Sequence, residues 1–432
     1  MVLVIALIIF NITTGKSKII KKSPFPVEDF RGNKCVFLAM NTEIAAAQLL
    51  ADLFFEETKG VVQVEVALYE SLLHTILDDA GSVDPKFDVV QFAYSDLARL
   101  VDERVLLDLT EFIYKNNYIL QSEDFFPDVL DAYANYKGKY WAIPYDLDLH
   151  LLFYRKSLLK KYDYPPPETW NDVRNIAKTI TEKEDGVYGI AMMAYPVPLI
   201  NISTFFNRLT AYGGYFFDAE NKPAINSPEA IEALSSLIGL IPYALPTPLE
   251  TDHEVSRDAF LTGRVAMADQ WSSLGVDAEE SGKSVVKGDW GVVPLPRGSG
   301  PKAVHPATLN AGFSLGLSAK SKKTNIAKSF IRFAGRPDIQ KRLNLTANGI
   351  DVCRISIIKS KEFREYNPAI AASTENAFLK GKTVGWPLIP ELTEILDVLS
   401  ANIAEAMRGE KSPKDALDNT QAKWLDILKK KH

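Results

Sequence analysis

A chain of 432 residues is long enough for two or three domains and for a core that needs no covalent staples. With 47% hydrophobic and 24% charged residues, and 24 each of Gly and Pro, the composition excludes a disordered, collagen-like or multi-span membrane protein. The net charge of −6 comes from 49 basic and 55 acidic residues with no basic stripe, so a duplex nucleic acid would find little electrostatic hold.

Residues 2–10 form an apolar run of signal-peptide length, too short to span a membrane. Met1 leaves no basic region ahead of it, and Lys16, Lys18, Lys21 and Lys22 follow instead. Residues 1–33 are therefore read as a signal or anchor with its linker, the signal starting upstream of Met1; a short uncleaved tail is the alternative. Cys35 and Cys353 are too few for a disulfide framework or a Cys-rich zinc site, and two free thiols are a simpler reading than one bridge.

The first structured unit begins with an apolar run at 35–40. Ile44, Ala47, Leu50 and Phe54 then follow at helical spacing until Gly60. Val62, Val64 and Val66 alternate as in a strand, and Leu73, Ile76, Leu77 and Ala80 share a helical face. A third strand is predicted over 88–92 and a helix over 96–107. Alternating strands and helices mark a doubly wound α/β unit, in which ligands sit beyond the carboxyl ends of the strands. Asn41, Tyr69 and Tyr94 follow such ends.

A second register starts near Trp141, with a long strand predicted over 143–154. Thr169 with Asp172 has capping-box spacing before the face Val173, Ile176, Ala177 and Ile180. Ser227-Pro228 and Ser412-Pro413 each open a further helix as N-cap and first residue. Residues 310–335 read as a small-residue strand and then a helix, and Lys429-Lys430-Lys431 as a solvated helix end.

Much chemistry is missing. Three Gly-Lys-Ser/Thr fragments lack the earlier glycine of a phosphate loop, since Phe10, Asp277 and Asn376 stand there. Neither a Gly-x-Ser-x-Gly elbow nor a His-Glu-x-x-His pair occurs. Asp146, Asp148 and His150 alternate, so on one strand all three would face the same way. That face would suit a divalent metal, a glycosidase carboxylate pair, a polar wall for ligand hydroxyls, or plain solvation. The polar wall is preferred, and no catalytic residue, metal or cofactor is assigned.

From 139 to 170 the sequence becomes distinctive. Tyr140-Trp141-Ala142-Ile143-Pro144-Tyr145-Asp146, Leu152-Phe153-Tyr154-Arg155-Lys156 and Pro166-Pro167-Glu168-Thr169-Trp170 resemble the family 1 extracellular solute-binding proteins, the maltose-binding-protein-like sugar receptors of ABC importers. Ala211-Tyr212-Gly213-Gly214, Ala259-Phe260-Leu261-Thr262-Gly263-Arg264-Val265-Ala266-Met267 with Trp271 behind it, and Ala311-Gly312-Phe313 continue the resemblance, as do 327–335 and the helix carrying Ala416, Leu417 and Trp424. It covers roughly residues 34–430. One departure is Val352, where such proteins usually place a proline before the hinge arginine, here Arg354.

The resemblance implies a two-lobed periplasmic-binding-protein fold of type II. Its lobes would be 34–144 plus 312–348 and 145–311 plus 349–432. They would be joined by crossovers near 144–149, 308–312 and 347–354, with Gly312 and Gly349 as flexible points. Ligand would bind between the lobes and close them. The implied ligand contacts are Trp271 as aromatic platform, Tyr145, Asp146, Gly213, Gly214, Asn310, Gly312, Arg354 and Trp386. A core role stays open for both tryptophans, and a mere turn for the glycines. The implied partners are a small carbohydrate and the permease of an ABC transporter, met by a monomer outside the cytoplasm. A polyamine receptor, with Asp146 and Asp148 as ammonium partners, and a glycoside-processing enzyme are the alternatives.

Overall fold

The computed structural model describes residues 25–280, 282–346 and 350–429. The apolar run at 2–10, its lysines, Gly349 and Lys430-Lys431 lie outside the described residues. Among the described residues no helix is long and apolar enough to cross a membrane.

Two principal sheets organise the chain. β1 (Lys34–Met40), β2 (Val61–Ala67) and β3 (Val89–Ala93) run parallel, each followed by helical structure packed on the sheet. After a hairpin of β4 (Asn135–Tyr136) and β5 (Lys139–Tyr140), β6 (Ala142–Asp146) joins the same sheet at its far edge. The second sheet takes β7 (His150–Arg155), β8 (Tyr188–Ala191), β9 (Val265–Trp271) and β10 (Trp290–Pro294) in the order β10-β7-β9-β8. β11 (Pro306–Leu309) pairs instead with β13 (Lys382–Gly385), while β12 (Phe313–Leu317) returns to the first sheet, giving it the order β2-β1-β3-β12-β6. β3 and β9 are buried along their whole length, as central strands covered on both faces should be.

Local signals hold where they depend on neighbouring residues. The Thr169 hydroxyl accepts from the Asp172 amide and the Asp172 carboxylate accepts from the Thr169 amide, closing the predicted capping box. Ser227 caps the helix Pro228–Ile238. The helix Ile44–Thr58 buries Ala47, Leu50 and Phe54, but Ile44 is exposed because it opens the helix at the sheet end. Both cysteines are free and buried.

The long strand predicted over 143–154 does not exist as one strand. β6 ends at Asp146 in the first sheet and β7 begins at His150 in the second. Between them Asp148 takes a left-handed φ of 52°, which breaks the alternation. His150 therefore turns to a different set of partners from Asp146 and Asp148.

The chain returns to the first sheet at 310–312, between β11 and β12, and the described part of a third passage starts at Ile350. Tyr133 binds the first two passages together, its hydroxyl 2.6 Å from the Leu147 carbonyl and 2.7 Å from that of Ala311. Gly312, at φ 112°, lets that ring approach, since a Cβ there would overlap the Tyr133 hydroxyl. The Asp351 amide donates to Asp146 Oδ1 at 2.7 Å, which ties the third passage to the first.

Arg354 anchors the third passage. Its buried guanidinium donates to the Gly335 carbonyl at 2.6 Å, to Gln340 Oε1 at 2.5 Å and to the Gln121 carbonyl at 2.9 Å, and it lies over the Phe125 ring. Asp124 stands 3.6 Å away as counter-charge. Burial lowers the Arg354 pKa to about 10, so it stays charged at neutral pH. Arg354→Ala strands these acceptors and is expected to destabilise the fold by about 3–5 kcal/mol. Urea denaturation measures this; a loss below about 1 kcal/mol would show that the guanidinium is not the anchor.

Candidate functional site between the two sheets

The three passages converge where the strands of the first sheet end, and carboxyl groups gather there. Asp146 closes β6, Asp148 follows in the turn, and Asp351 arrives from the third passage; one oxygen of each lies within 4.8 Å of the others. Glu43, in the single turn Asn41–Glu43 after β1, completes the group and accepts from Gln91 Nε2 at 2.7 Å. Burial is the main cause of the raised pKa values of these acids. It raises Glu43 from 4.5 to about 8 against hydrogen bonds from Gln91 and Asp146, with Asp351 adding to the rise. Asp351 rises to about 6, despite hydrogen bonds involving Ser272 and the Leu149 backbone. Asp146 and Asp148 are pushed well above the carboxylate range by burial and then by their acidic neighbours.

The second sheet contributes an aromatic and imidazole wall. Trp271 ends β9 directly opposite His150, their rings edge-on with centroids 4.7 Å apart, and His253 meets the same indole from another side. Met193, Ile200 and Ala311 pack around Trp271. His150 Nδ1 lies 2.8 Å from Asp269 Oδ1 and 2.7 Å from Asn207 Nδ2, while its Nε2 has no partner. Arg208, stacked on Trp170, stands 3.7 Å from Asp269 as the opposite charge. Asn207 extends the network to the second passage, its Oδ1 accepting from Thr308 and from Asn310 Nδ2.

Buried polar atoms normally find partners, so those without one are informative. Fourteen such atoms occur among the described residues, and six belong to residues at these strand ends and passages: Glu43 Oε1, the Tyr145 hydroxyl, His150 Nε2, Trp271 Nε1, Asn310 Oδ1 and Asp351 Oδ2. Donors and acceptors are mixed, and one of the donors is the Nε1–H of the Trp271 indole. Such a lining suits a solute with several hydroxyl groups and an apolar face.

The residues expected from sequence divide into two sets. Tyr145, Asn310 and Trp271 carry unpartnered buried atoms, Asp146 belongs to the carboxyl cluster, and Asn41 and Tyr69 lie at the ends of β1 and β2. Tyr69 meets Phe313 edge-on. Tyr94 is occupied by the protein itself, bonding the Leu309 carbonyl and the Trp386 amide and stacking on Tyr133 at 4.2 Å. Trp386 packs on Phe206 and Phe216 and donates to the Asn310 carbonyl at 3.0 Å, so core contacts take its ring. At Gly213 (φ 81°) and Gly214 the close neighbours are the Lys302 segment and Leu209, and Gly312 makes room for Tyr133. Arg354 serves the fold as described above. Glu43, Asp269, Asn207 and Asp351 were not singled out from sequence. Glu43 had a signal, lying two residues beyond Asn41 at the same strand end; the others are brought in by distant segments.

Residues 41–341 match the family model described as bacterial extracellular solute-binding protein. The chain belongs to this family. A probable amino-acid ABC transporter periplasmic-binding protein from Sinorhizobium fredii is 24% identical over 93% of this chain and 91% of its own length. The maltotriose-binding protein of Pyrococcus abyssi is 26% identical over 61% of this chain and 54% of its own. Among solved structures, an ABC transporter solute-binding protein from Agrobacterium radiobacter in complex with ribitol superposes with a TM-score of 0.78 at 25% identity, covering 91% of this chain and 98% of that one. The fold is thus the two-lobed solute-binding fold with its ligand cleft between lobes, and family and fold are those of binding proteins. Membership places the protein's work outside the cytoplasm, with a small solute and an ABC transporter as partners.

The raised acids make stability depend on pH. A folded-state pKa above the unfolded value means the folded chain binds more protons, so stability falls as pH rises. For Glu43 the stabilisation is present below about 4.5 and is lost as pH passes about 8; for Asp351 the window closes near 6. Ligand-free protein in a chelating buffer should therefore be more stable to urea at pH 5 than at pH 8. Glu43→Gln should flatten the part above pH 6, and an unchanged slope would exclude Glu43 as its source.

Proposed function

We propose that this solute-binding protein captures a carbohydrate or polyol between its two sheets and hands it, as a monomer and without chemical change, to the permease of an ABC importer. The observation that carries the reading is the set of six unpartnered buried polar atoms on residues of the strand ends and passages where both sheets meet, Trp271 Nε1 among them. Ligand hydroxyls would supply the missing partners, and Trp271 would stack on a C–H face of the solute. The ribitol-bound relative and the maltotriose-binding relative support a polyhydroxyl ligand.

In this reading the lobes comprise 34–144 plus 312–348 and 145–311 plus 349–432. Asp146, Tyr145 and Asn310 sit at their junction with Asn41 and Tyr69 beyond the strand ends, and the lobes close as both contact the solute. Asp146 and Glu43 would accept from solute hydroxyls on one side; on the other the Trp271 Nε1–H would donate to a solute oxygen and His150 Nε2 would pair with a further hydroxyl.

A thermal-shift panel of maltose, maltotriose, mannitol and ribitol tests the assignment. A true ligand at about 100 times its dissociation constant should stabilise the protein by roughly 2.7 kcal/mol. Recovery of the unchanged compound after incubation would support a non-catalytic role. Silence across the panel, with a response to putrescine or spermidine, would overturn the sugar reading. Trp271→Ala should weaken binding by about 2 kcal/mol or more, near thirtyfold, by titration calorimetry. Unaltered affinity in a destabilised variant would return Trp271 to the core.

A further inference from the structure

We propose that Asp146, Asp148 and Asp351 form a divalent-cation site of the calcium type where the first and third passages of the chain meet. The inference does not depend on the identity of the transported solute.

The donors are hard oxygens and nothing else. A mutual spacing within 4.8 Å equals two calcium–oxygen distances of about 2.4 Å, so one ion can touch all three carboxylates. Asp146 and Asp148 share the i, i+2 spacing with which calcium loops present successive carboxylates, and Asp148 sits in a left-handed turn rather than in a strand. Oxygen-only ligation favours calcium, magnesium or manganese over zinc or copper.

A second observation points inward. The Tyr145 hydroxyl, on a residue only 2% exposed, has no partner, and it lies near enough to Glu43 and Asp146 to feel both charges. Asp351 Oδ2 and Glu43 Oε1 are also without partners. Beside Asp351 is a cavity of about 20 Å³, lined by Ser272 and Asn344 among others, large enough for one water. The charged neighbours that raise Asp146 and Asp148 are acidic: Glu43 and Asp351 for both, and Asp148 for Asp146. Arg354, the nearest guanidinium in sequence, is directed to Gly335, Gln340 and Gln121 instead. A bound dication would supply the missing positive charge and join two of the three passages, stiffening the hinge between the sheets.

The test uses full-length protein stripped with EDTA and then titrated with CaCl2 or MgCl2, by calorimetry and by thermal denaturation. One calcium should bind per chain and raise the melting temperature by several degrees, with magnesium weaker. Asp148→Asn and Asp351→Asn should each weaken calcium binding at least tenfold while circular dichroism stays unchanged. Should Asp351→Asn fail to fold, the partly exposed Asp148 decides alone. No heat and no shift up to about 10 mM calcium, tenfold above the weakest affinity of extracellular sites, would overturn the proposal. So would equal calcium binding by wild type and Asp148→Asn. A calcium-silent protein that responds to putrescine or glucosamine, with the response lost in the same variants, would make the cluster an ammonium subsite and overturn the metal assignment. Sugar binding is measured separately, so its failure and that of the calcium site are distinguishable.

Discussion

The structure turns on the shortness of the first passage between sheets. Only Leu147, Asp148 and Leu149 separate β6 from β7, so the ends of two independently hydrogen-bonded sheets must lie side by side. An extended chain gains about 3.3 Å per residue, which leaves no room for a linker that would let the sheets drift apart. The link from β11 into β12, 310–312, is equally short, and the Tyr133 hydroxyl holds both from a single point. Everything the site contains follows from that proximity: β6 and the Asn41–Glu43 turn deliver carboxyl groups, β7 and β9 deliver an imidazole and an indole.

Proximity also explains the electrostatics. Each acid alone, at a strand end, would be an ordinary solvated carboxylate. Brought together and dried, they cannot all ionise, and burial followed by mutual repulsion raises their pKa values. On the other wall, Asp269 is treated differently: Arg208 and His150 stand against it, and Asn207 donates to it. One side of the junction is thus charge-balanced within the protein, and the other leaves acceptors for something else to satisfy. Polar groups kept without partners are a loss to stability that binding proteins sustain where a solute must be held.

The buried arginines divide labour in the same way. Arg208 sits inside the second sheet's packing against Trp170, and Arg354 ties the third passage to Gly335, Gln340 and Gln121. The glycines likewise serve close packing of the chain on itself, at Lys302 for Gly213 and at Tyr133 for Gly312. Residue types that are common in ligand sites are here needed to build the frame.

Much of this was legible in the sequence, and the boundary has a physical cause. The capping box at Thr169, the Ser227 cap and the strand–helix alternation through 35–93 depend on residues within a few positions of one another, so local chemistry specifies them. The motif blocks around Tyr145 and Trp271 carried the family. The split of 143–154 into two strands was hidden, because Asp146, Asp148 and His150 alternate as one strand would, and only the left-handed turn at Asp148 parts them. The partners of those residues were hidden as well. Asp351 lies 205 positions from Asp146, and Asp269 lies 119 from His150. Periodicity reports which face a side chain shares with its neighbours, whereas the tertiary fold alone decides which distant charge or hydrogen-bonding group is packed against that face.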